Sequence, residues 1–176
     1  ALSLVTAISV LEALRELGVQ GLQLKWPNDV LFEKRKLSGI LLELQHQDAS
    51  RFVVFGVGVN LELSAGSLER IDRPATDLNS IVSESPSRVI LLAALLNQLC
   101  RNLEKYESGG FSSFEERWNG LDCYRMIDIE IQNGDSRLIG KSLGVDSEGS
   151  LLLQTVKGIQ SINAGEVFPS LRPLSE

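Results

Sequence analysis

The sequence predicts an α+β fold: a mixed, largely antiparallel sheet backed by helices over residues 1–120, followed by a small all-β barrel over residues 121–176. Two observations predict this division. In the first part, segments with helical spacing of apolar residues alternate with short β-prone runs separated by polar turns. In the second part, β-prone runs recur with turn signals roughly every eight to twelve residues, which is typical of small barrels and sandwiches.

The first part begins with an amphipathic helix and continues into strands. Residues 2–17 carry apolar side chains at intervals of three and four, and Gly18 follows as a helix stop. Four β-prone runs come next, at residues 21–26, 30–32, 37–44 and 51–61. The last two flank polar residues 45–50, so they predict an antiparallel hairpin.

Two more helices are predicted before the composition changes. Ser85 is a candidate N-cap, with Pro86 in the first turn, for a helix to about Tyr106. Residues 113–116 have the form of a capping box and should open a short helix to Trp118. Beyond residue 122 the β-prone runs are 127–131, 137–145, 151–156 and 159–163, with a turn at Asn133 and Gly134.

Composition excludes several classes of function. A net charge of −6 argues against a broad nucleic-acid-binding surface. Two cysteines and one histidine are too few for a usual zinc site or a disulfide framework, so we expect no metal site of this kind and a cytoplasmic location. The longest apolar run, residues 89–96, is too short to span a bilayer, and we expect no membrane association.

Two adjacent motifs carry the functional interpretation. Residues 24–31 read Leu-Lys-Trp-Pro-Asn-Asp-Val-Leu, and residues 36–43 read Lys-Leu-Ser-Gly-Ile-Leu-Leu-Glu. Both resemble the biotin–protein ligases, whose catalytic domains contain KWPND and then a K-x-x-G-I-L-x-E strand. Residues 56–60 resemble that family's G-x-G-x-N strand. Residues 74–78 resemble its P-A-T-S-L loop, with Asp77 where serine is more usual.

The resemblance implies a fold and an activity. The barrel segment is similar to the family's C-terminal SH3-like domain. The implied enzyme joins biotin and ATP into biotinyl-5′-AMP, with Mg²⁺ as the companion of ATP. It then transfers the biotinyl group to a lysine of a carboxylase acceptor domain, the biotin carboxyl carrier protein. The resemblance also implies a homodimer through the edge of residues 37–44, and DNA as a partner only if an N-terminal domain exists upstream.

The resemblance also assigns roles around Lys36, which lies where the family's essential lysine lies. A cation there would lower the repulsion between a carboxylate and the α-phosphate. From the residues alone, an ordinary charged turn is the alternative. Gly39 and Leu41 would line the biotin pocket, although Leu41 could equally belong to sheet packing. Since Lys36 and Leu41 face opposite sides of a regular strand, we expect a kink at Ser38 and Gly39.

Other residues of the motifs are candidates for binding ATP or the adenylate. Asn28 and Asp29 would form the floor beside Lys36, or serve only the turn that Pro27 predicts. The Asn60 amide could bond adenine, or simply end a strand. Thr76 could bond the adenylate, or lie in a solvated loop. Lys25 could reach phosphate or pair with Asp29, and Trp26 is expected in the core.

The family's glycine- and arginine-rich loop, and the segment that hydrogen-bonds the biotin head group, would both lie upstream of residue 1. We therefore expect this chain to hold part of an active site and to fail to ligate biotin by itself. A lipoate–protein ligase and a non-catalytic binding or corepressor module are the alternatives. The two motifs together favour biotin, and the intact Lys36 motif argues against a non-catalytic module.

Overall fold

The computed structural model describes residues 1–48, 50–64, 66, 73–133 and 136–169. In these residues, three helices are α1 (Leu2–Glu16), α2 (Arg88–Gly109) and α3 (Ser112–Leu121). The first sheet contains β1 (Leu22–Lys25), β2 (Asp29–Phe32), β3 (Arg35–Gln47) and β4 (Ser50–Val59). The second contains β5 (Asp128–Asn133), β6 (Ser136–Val145), β7 (Leu151–Thr155), β8 (Gly158–Ile162) and β9 (Glu166–Pro169). The predicted α+β class is confirmed.

The first sheet has the order β1-β2-β3-β4, and its strands pair antiparallel with their neighbours. The predicted hairpin of β3 and β4 is confirmed, but its strands are longer than expected: pairing extends to Gln47 and Ser50. Most of the polar link predicted at 45–50 is therefore strand. Backbone hydrogen bonds hold an antiparallel pair without apolar side chains, which is why polarity gave the wrong boundary. Ala49 lies outside the described residues.

A β-bulge interrupts the pairing of β2 with β3. The register shifts so that Leu37 is an extra residue in β3. Such an insertion reverses the alternation of side chains between the two faces. It brings Lys36 onto the face of β3 that carries Gly39 and Leu41. The kink expected at Ser38 and Gly39 is thus confirmed in kind, but it lies one residue closer to the N-terminus.

Helix α1 packs against the first sheet, and α2 packs against α1. Most of α1 is buried, and Asn102 of α2 donates hydrogen bonds to Ser9 Oγ (3.0 Å) and Glu12 Oε2 (2.8 Å) of α1. Helix α2 begins after Ser87, whose Oγ accepts from the Ile90 N–H at 3.3 Å. The N-cap predicted at Ser85 was wrong by two residues because the hydroxyl of Ser87, not that of Ser85, meets the first free N–H groups.

The predicted capping box of α3 was also wrong. The helix begins at Ser112, with Phe111 as its N-cap residue, and Ser113 lies inside its first turn. The Ser113 hydroxyl donates instead to the Gly109 carbonyl at 3.3 Å, at the end of α2. Helix α3 therefore begins without a side-chain cap, and the Ser113 hydroxyl connects its first turn to the end of α2.

In the part of the chain described, we find no helix long and apolar enough to cross a membrane.

The second sheet is antiparallel, with the order β8-β7-β6-β5-β9. Strand β9 was not predicted, because it follows Gly165, ends at Pro169 and contains only four paired residues. Strands β8 and β9 end the order, and among the described residues no pairing joins them into a closed barrel. Residues 134–135, in the predicted turn, and residues 170–176 of the predicted second domain lie outside the described residues.

Hydrogen bonds tie Trp26 and helix α3 to the second sheet, and one more ties β1 to Cys123, which follows α3. The buried Trp26 indole donates to the Gly149 carbonyl at 3.2 Å, in the turn between β6 and β7. The Cys123 N–H donates to the Leu24 carbonyl at 2.9 Å. The Asn119 amide accepts from the Val145 N–H at 2.7 Å and donates to the Val145 carbonyl at 3.0 Å.

The two hydrogen bonds between the Asn119 side chain and the Val145 backbone, which we call the Asn119 clamp, have a measurable energetic consequence. Replacing Asn119 by alanine leaves both backbone groups of Val145 without these partners, which costs about 1–3 kcal/mol when such groups are poorly hydrated. We expect Asn119→Ala to lower the free energy of unfolding by that amount in urea titrations. Asn97→Ala, at an exposed position of α2, is the matched control and should change stability little. Equal stability of the two variants would contradict a role for the clamp.

Asp122, at the end of α3, predicts a pH dependence of stability. Burial raises its pKa to about 6, although the Tyr124 N–H and Arg125 favour the ionised form. The carboxyl is more easily protonated in the folded state, so its contribution to stability is greatest below about pH 4 and is lost as pH rises through about 6. Relative to Asp122→Asn, the free energy of unfolding of the unmodified chain should fall by on the order of 2–3 kcal/mol between pH 4 and 7. Asp48→Asn, in an exposed turn, is the matched control.

Candidate functional site

Four of the predicted residues meet at one cavity on the open face of β3 and β4. This sheet-face cavity has a volume of about 470 Å³. Its lining includes Asn28, Lys36, Gly39 and Leu41. The bulge at Leu37 explains how Lys36 and Leu41 reach the same cavity. Leu41 is 63% exposed, so it belongs to the cavity wall rather than to sheet packing.

Lys36 is held by an ion pair over a glycine. Its Nζ lies 2.6 Å from Oδ1 of Asp29, which is largely buried, while the lysine side chain is 42% exposed. Gly39 is the register partner of Asp29, and a Cβ on Gly39 would lie 2.9 Å from both Cε and Nζ of Lys36. Only glycine leaves room for this path of the lysine side chain. Gly39 therefore positions Lys36 as well as lining the cavity.

Asn28 is tied to the neighbouring strand. Its side-chain Nδ2 donates to the Ile40 carbonyl at 2.7 Å, and the Ile40 N–H donates to the Asn28 carbonyl at 3.0 Å. These two bonds fix the turn after the cis Trp26–Pro27 peptide against β3. The turn interpretation of Asn28 is thus supported by the geometry, although the residue also lines the cavity.

Residues 74–76 run parallel to the start of β3. The Lys36 N–H donates to the Pro74 carbonyl at 2.9 Å, and the Thr76 N–H donates to the Lys36 carbonyl at 2.9 Å. The Asn60 side chain connects the same elements, because its Nδ2 donates to the carbonyls of Lys36 (3.3 Å) and Thr76 (3.0 Å). Both amide hydrogens of Asn60 are thereby directed at the backbone. Its side-chain oxygen is the atom left for a ligand.

Asn60 and Thr76 stand apart from the sheet-face cavity. Asn60 lines a separate cavity of about 650 Å³ near the start of α2. Thr76 is 3% exposed, and its hydroxyl has no hydrogen-bond partner among the residues the structure describes. Neither residue lies in a solvated loop, and both reach Lys36 only through its main chain. The seven candidate residues therefore do not share one cavity: four line the sheet-face cavity, whereas Asn60 and Thr76 lie outside it.

Asp77, which stands where the family more often has serine, stabilises the loop. Its carboxylate accepts from the N–H groups of Leu63 (2.9 Å) and Ser80 (2.8 Å). Burial disfavours the charged form, but the hydrogen bonds from Ser80 and Leu63 outweigh it and lower the pKa of Asp77. The residue that departs from the motif thus supplies acceptors for two loop N–H groups.

A second cavity at Lys36 was not predicted. It lies between the two sheets, has a volume of about 560 Å³, and is lined in part by Lys25, Asp29, Lys36, Arg73 and Phe168. We call it the inter-sheet cavity. Burial, chiefly, lowers the pKa of Lys25, with Asp29 opposing and Arg73 and Lys36 adding to the decrease. Arg73 and Phe168 belong to none of the sequence motifs. Their place in the cavity lining became evident only from the packing of β9.

The arrangement is suited to anion chemistry. One ammonium, Lys36, belongs to the walls of both cavities and is oriented by a buried carboxylate. A preorganised cation of this kind stabilises negative charge that develops on a bound group. Within the described residues, no cluster of three or more carboxylate, imidazole or thiol groups could hold a metal ion.

Family models match both ends of the chain. Residues 1–60 match the biotin/lipoate A/B protein ligase family, and residues 129–168 match the biotin protein ligase C terminal domain. The chain is 33% identical over 172 residues to the bifunctional ligase/repressor BirA of Escherichia coli, covering 94% of this chain and 52% of that protein. It is 31% identical over 145 residues to the biotin–[acetyl-CoA-carboxylase] ligase of Mycobacterium tuberculosis, covering 82% and 52%. The chain spans about half the length of the curated relatives it matches.

Solved structures agree with these matches over nearly the whole chain. The apo biotin protein ligase of Aquifex aeolicus superposes with a TM-score of 0.87 at 30% identity, covering 96% of this chain and 75% of that one. The same enzyme in complex with biotin and ATP gives a TM-score of 0.82 at 31% identity, covering 95% and 69%. Because likeness in sequence and in fold extends across both sheets, the chain belongs to the biotin protein ligase family.

Proposed function

We propose that the protein is an ATP-dependent biotin–protein ligase. It activates biotin as biotinyl-5′-AMP and transfers the biotinyl group to a lysine of a carboxylase acceptor domain. The observation that carries this proposal is the Lys36 ammonium, fixed by Asp29 over Gly39 at the wall of the sheet-face cavity. Relatives named biotin–[acetyl-CoA-carboxylase] ligase, and a similar structure bound to biotin and ATP, support it.

The first step brings two anions together. A biotin carboxylate oxygen forms a bond to the α-phosphorus, and the bond from that phosphorus to the bridging oxygen breaks, so pyrophosphate leaves with the electron pair. Lys36 lowers the repulsion between the reactants and stabilises charge on the α-phosphate oxygens. Asp29 prevents the long lysine side chain from sampling other positions, which preserves the geometry.

The second step is acyl transfer. The neutral amine of the acceptor lysine attacks the acyl carbon, AMP leaves, and the amine loses a proton. The open sheet-face cavity would present the mixed anhydride to a protein surface, because Leu41 and the wall around it are exposed.

The wall of the sheet-face cavity leaves room for a compact bicyclic ring system. Gly39, Gly56 and Gly58 lie on adjacent strands and leave the backbone open, while Leu41 adds apolar surface beside them. We assign Gly39 and Leu41 to biotin on this basis. A pocket built from glycine backbone and one aliphatic side chain is typical of binding by shape and burial.

The nucleotide would contact the elements that Asn60 joins. The Asn60 oxygen can accept from the adenine amino group, and the buried Thr76 hydroxyl can bond the adenylate. Asn28 and Asp29 would form the floor next to the α-phosphate. Mg²⁺ stays a prediction: it commonly binds one or two carboxylates together with substrate phosphates, and Asp29 offers such a carboxylate.

Several other features stay predictions. These are the SH3-like barrel, the division into domains at residues 1–120 and 121–176, the cytoplasmic location and a homodimer through the edge of residues 37–44. The matches of separate family models to residues 1–60 and 129–168 support the two-domain division.

A biotin-dependent exchange of label between pyrophosphate and ATP tests the proposed activity. It should be measured in the protein as its gene encodes it, with lipoic acid as the competing acid. We expect biotin to support exchange and lipoic acid to fail. Lipoic acid is the relevant competitor because the matched family includes both biotin and lipoate ligases. Exchange with lipoic acid alone would replace the proposal by a lipoate–protein ligase.

Lys36→Ala should slow adenylate formation about a hundred- to a thousandfold, the usual effect of removing one donor that stabilises transition-state charge. Single-turnover measurement of biotinyl-5′-AMP gives the rate directly. Lys157→Ala, in the exposed turn between β7 and β8, is the matched control and should be unaffected. An unchanged single-turnover rate in Lys36→Ala would remove Lys36 from the mechanism.

Asn60→Ala should weaken ATP binding roughly 5- to 150-fold, the equivalent of losing a buried hydrogen-bonding group, and should affect biotin less. The reason is that the variant loses the adenine contact and frees the Thr76 carbonyl, whereas the biotin wall lies on other residues. Titration calorimetry with each ligand measures the difference. Equal losses for the two ligands would make Asn60 a structural residue only.

A further inference from the structure

Helix α2 carries an apolar stripe on the side that faces solvent. Val89, Leu92 and Leu96 are 76%, 56% and 52% exposed, although they belong to a helix that packs against α1. The side of α2 that is buried against α1 includes two amides, Gln98 and Asn102, which donate hydrogen bonds to α1. An amphipathic helix normally turns its apolar side inward. Apolar side chains grouped on the outer side therefore mark a surface for contact.

The spacing of this stripe reads the same in both directions. The α2 stripe consists of residues 89, 92, 96, 100 and 103, with steps of three, four, four and three; Cys100 is exposed and Leu103 is half-buried. Residues at these intervals lie on one side of a helix, over a length of about 21 Å. A second α2 running antiparallel would place Leu96 against its own copy. The other residues would then pair from the ends inward, Val89 with Leu103 and Leu92 with Cys100. A two-fold axis requires self-complementarity of this kind.

The two ends of the stripe differ in charge. Arg88 lies at the start of α2, beside the positive end of the helix dipole, whereas Glu104 and Glu107 lie near its other end. All three are exposed, and none forms an ion pair with another residue that the structure describes. In a parallel pair, like charges would adjoin. In an antiparallel pair, Arg88 of each copy would lie near the acidic turn of the other, so charge favours a reversed second copy.

The α2 stripe is remote from the proposed chemistry. Helix α1 lies between α2 and the first sheet, and the sheet-face cavity is on the open face of β3 and β4. A second copy bound at α2 would leave that cavity accessible. The stripe is also separate from the edge of residues 37–44, which the family resemblance implies for a dimer.

We propose that the α2 stripe is an interface between two copies of this chain, in which the two α2 helices pack antiparallel about a two-fold axis at Leu96. The inference does not depend on the proposed function, because it uses no residue of the candidate site. Since two helices alone make a small interface, we expect a dissociation constant on the order of 10 µM.

Sedimentation equilibrium of the full chain tests this interface. Leu96→Glu would place two carboxylates against each other at the axis, and should raise the dissociation constant at least about 30-fold, as expected for a central residue of an interface. Val156→Glu, at an apolar position that is 80% exposed in the turn between β7 and β8, is the matched control and should not change it. Biotin-dependent exchange should be the same in both variants, and circular dichroism establishes that each is folded.

Exchange of charges tests the antiparallel direction. Arg88→Glu should weaken association roughly 3- to 30-fold, because each dimer contains two such contacts. Adding Glu107→Arg to Arg88→Glu should recover affinity, since the charges are then exchanged rather than opposed. In a parallel pair, Arg88 would lie beside its own copy, and the second substitution would not compensate for the first.

Cross-linking provides a measurement that does not depend on affinity. In Leu92→Cys, a short bismaleimide should join the introduced thiol to Cys100 of the other copy. The unmodified chain, and Leu92→Cys combined with Cys100→Ser, should not be joined. Cys123 should not compete, because it is buried and burial, chiefly, raises its pKa to about 12.

Each outcome decides the proposal. If the chain stays monomeric at every concentration, the interface is overturned, and a lower free energy of unfolding in Leu96→Glu would mean that the stripe is covered within one molecule. If Leu44→Glu separates the copies and Leu96→Glu does not, association runs through the edge of residues 37–44, and the proposal is again overturned. Absence of biotin-dependent exchange in an unmodified protein that dimerises through α2 would overturn the proposed function but retain the interface.

Discussion

The ion pair between Lys36 and Asp29 is the interaction on which the site depends. It exists because the bulge at Leu37 turns the lysine onto the required face and because Gly39 leaves space for its side chain. Each of these conditions is a property of the backbone rather than of a ligand. The cation is therefore in position before any substrate binds, which is the condition under which charge stabilisation is most effective.

The main chain of Lys36 is as constrained as its side chain. Its N–H and carbonyl both bond to residues 74–76, and Asn60 bonds the same carbonyl. The loop that follows β4 is therefore an additional short partner of β3. A shift of Asn60 or of residues 74–76 would be transmitted to the lysine through three hydrogen bonds, so a change at either can alter the position of Lys36.

Local patterns predicted the elements of the fold well, since helical spacing and β-prone runs determine α1, α2 and most strands. They failed where long-range pairing decides the outcome. Strand β9 is short and ends in proline, so its assignment requires its partner β5. The ends of the β3–β4 hairpin are polar, and pairing of the backbone alone extends them to Gln47 and Ser50. The N-cap of α2 is Ser87 because a hydroxyl two residues earlier does not reach the helix.

The site was predictable to the extent that it lies in a continuous motif. Asn28, Lys36, Gly39 and Leu41 are near one another in the chain, and the sequence also indicated the kink that brings them together. The inter-sheet cavity could not be predicted in the same way, because Arg73 and Phe168 come from distant segments and neither belongs to a motif. Asn60 illustrates an intermediate case, in which the residue was identified but its amide hydrogens bond backbone rather than remaining free.

The hydrogen bond from Trp26 to the Gly149 carbonyl has a consequence for how such a protein can be divided. The indole lies between a motif strand and a turn of the second sheet, so cutting the chain after α3 would expose a large aromatic ring to water and exchange its hydrogen bond to the protein for one to solvent. The first sheet is therefore not an autonomous scaffold onto which the second is merely attached. Exchange of C-terminal segments between relatives would succeed only where the incoming turn presents a carbonyl at the same point.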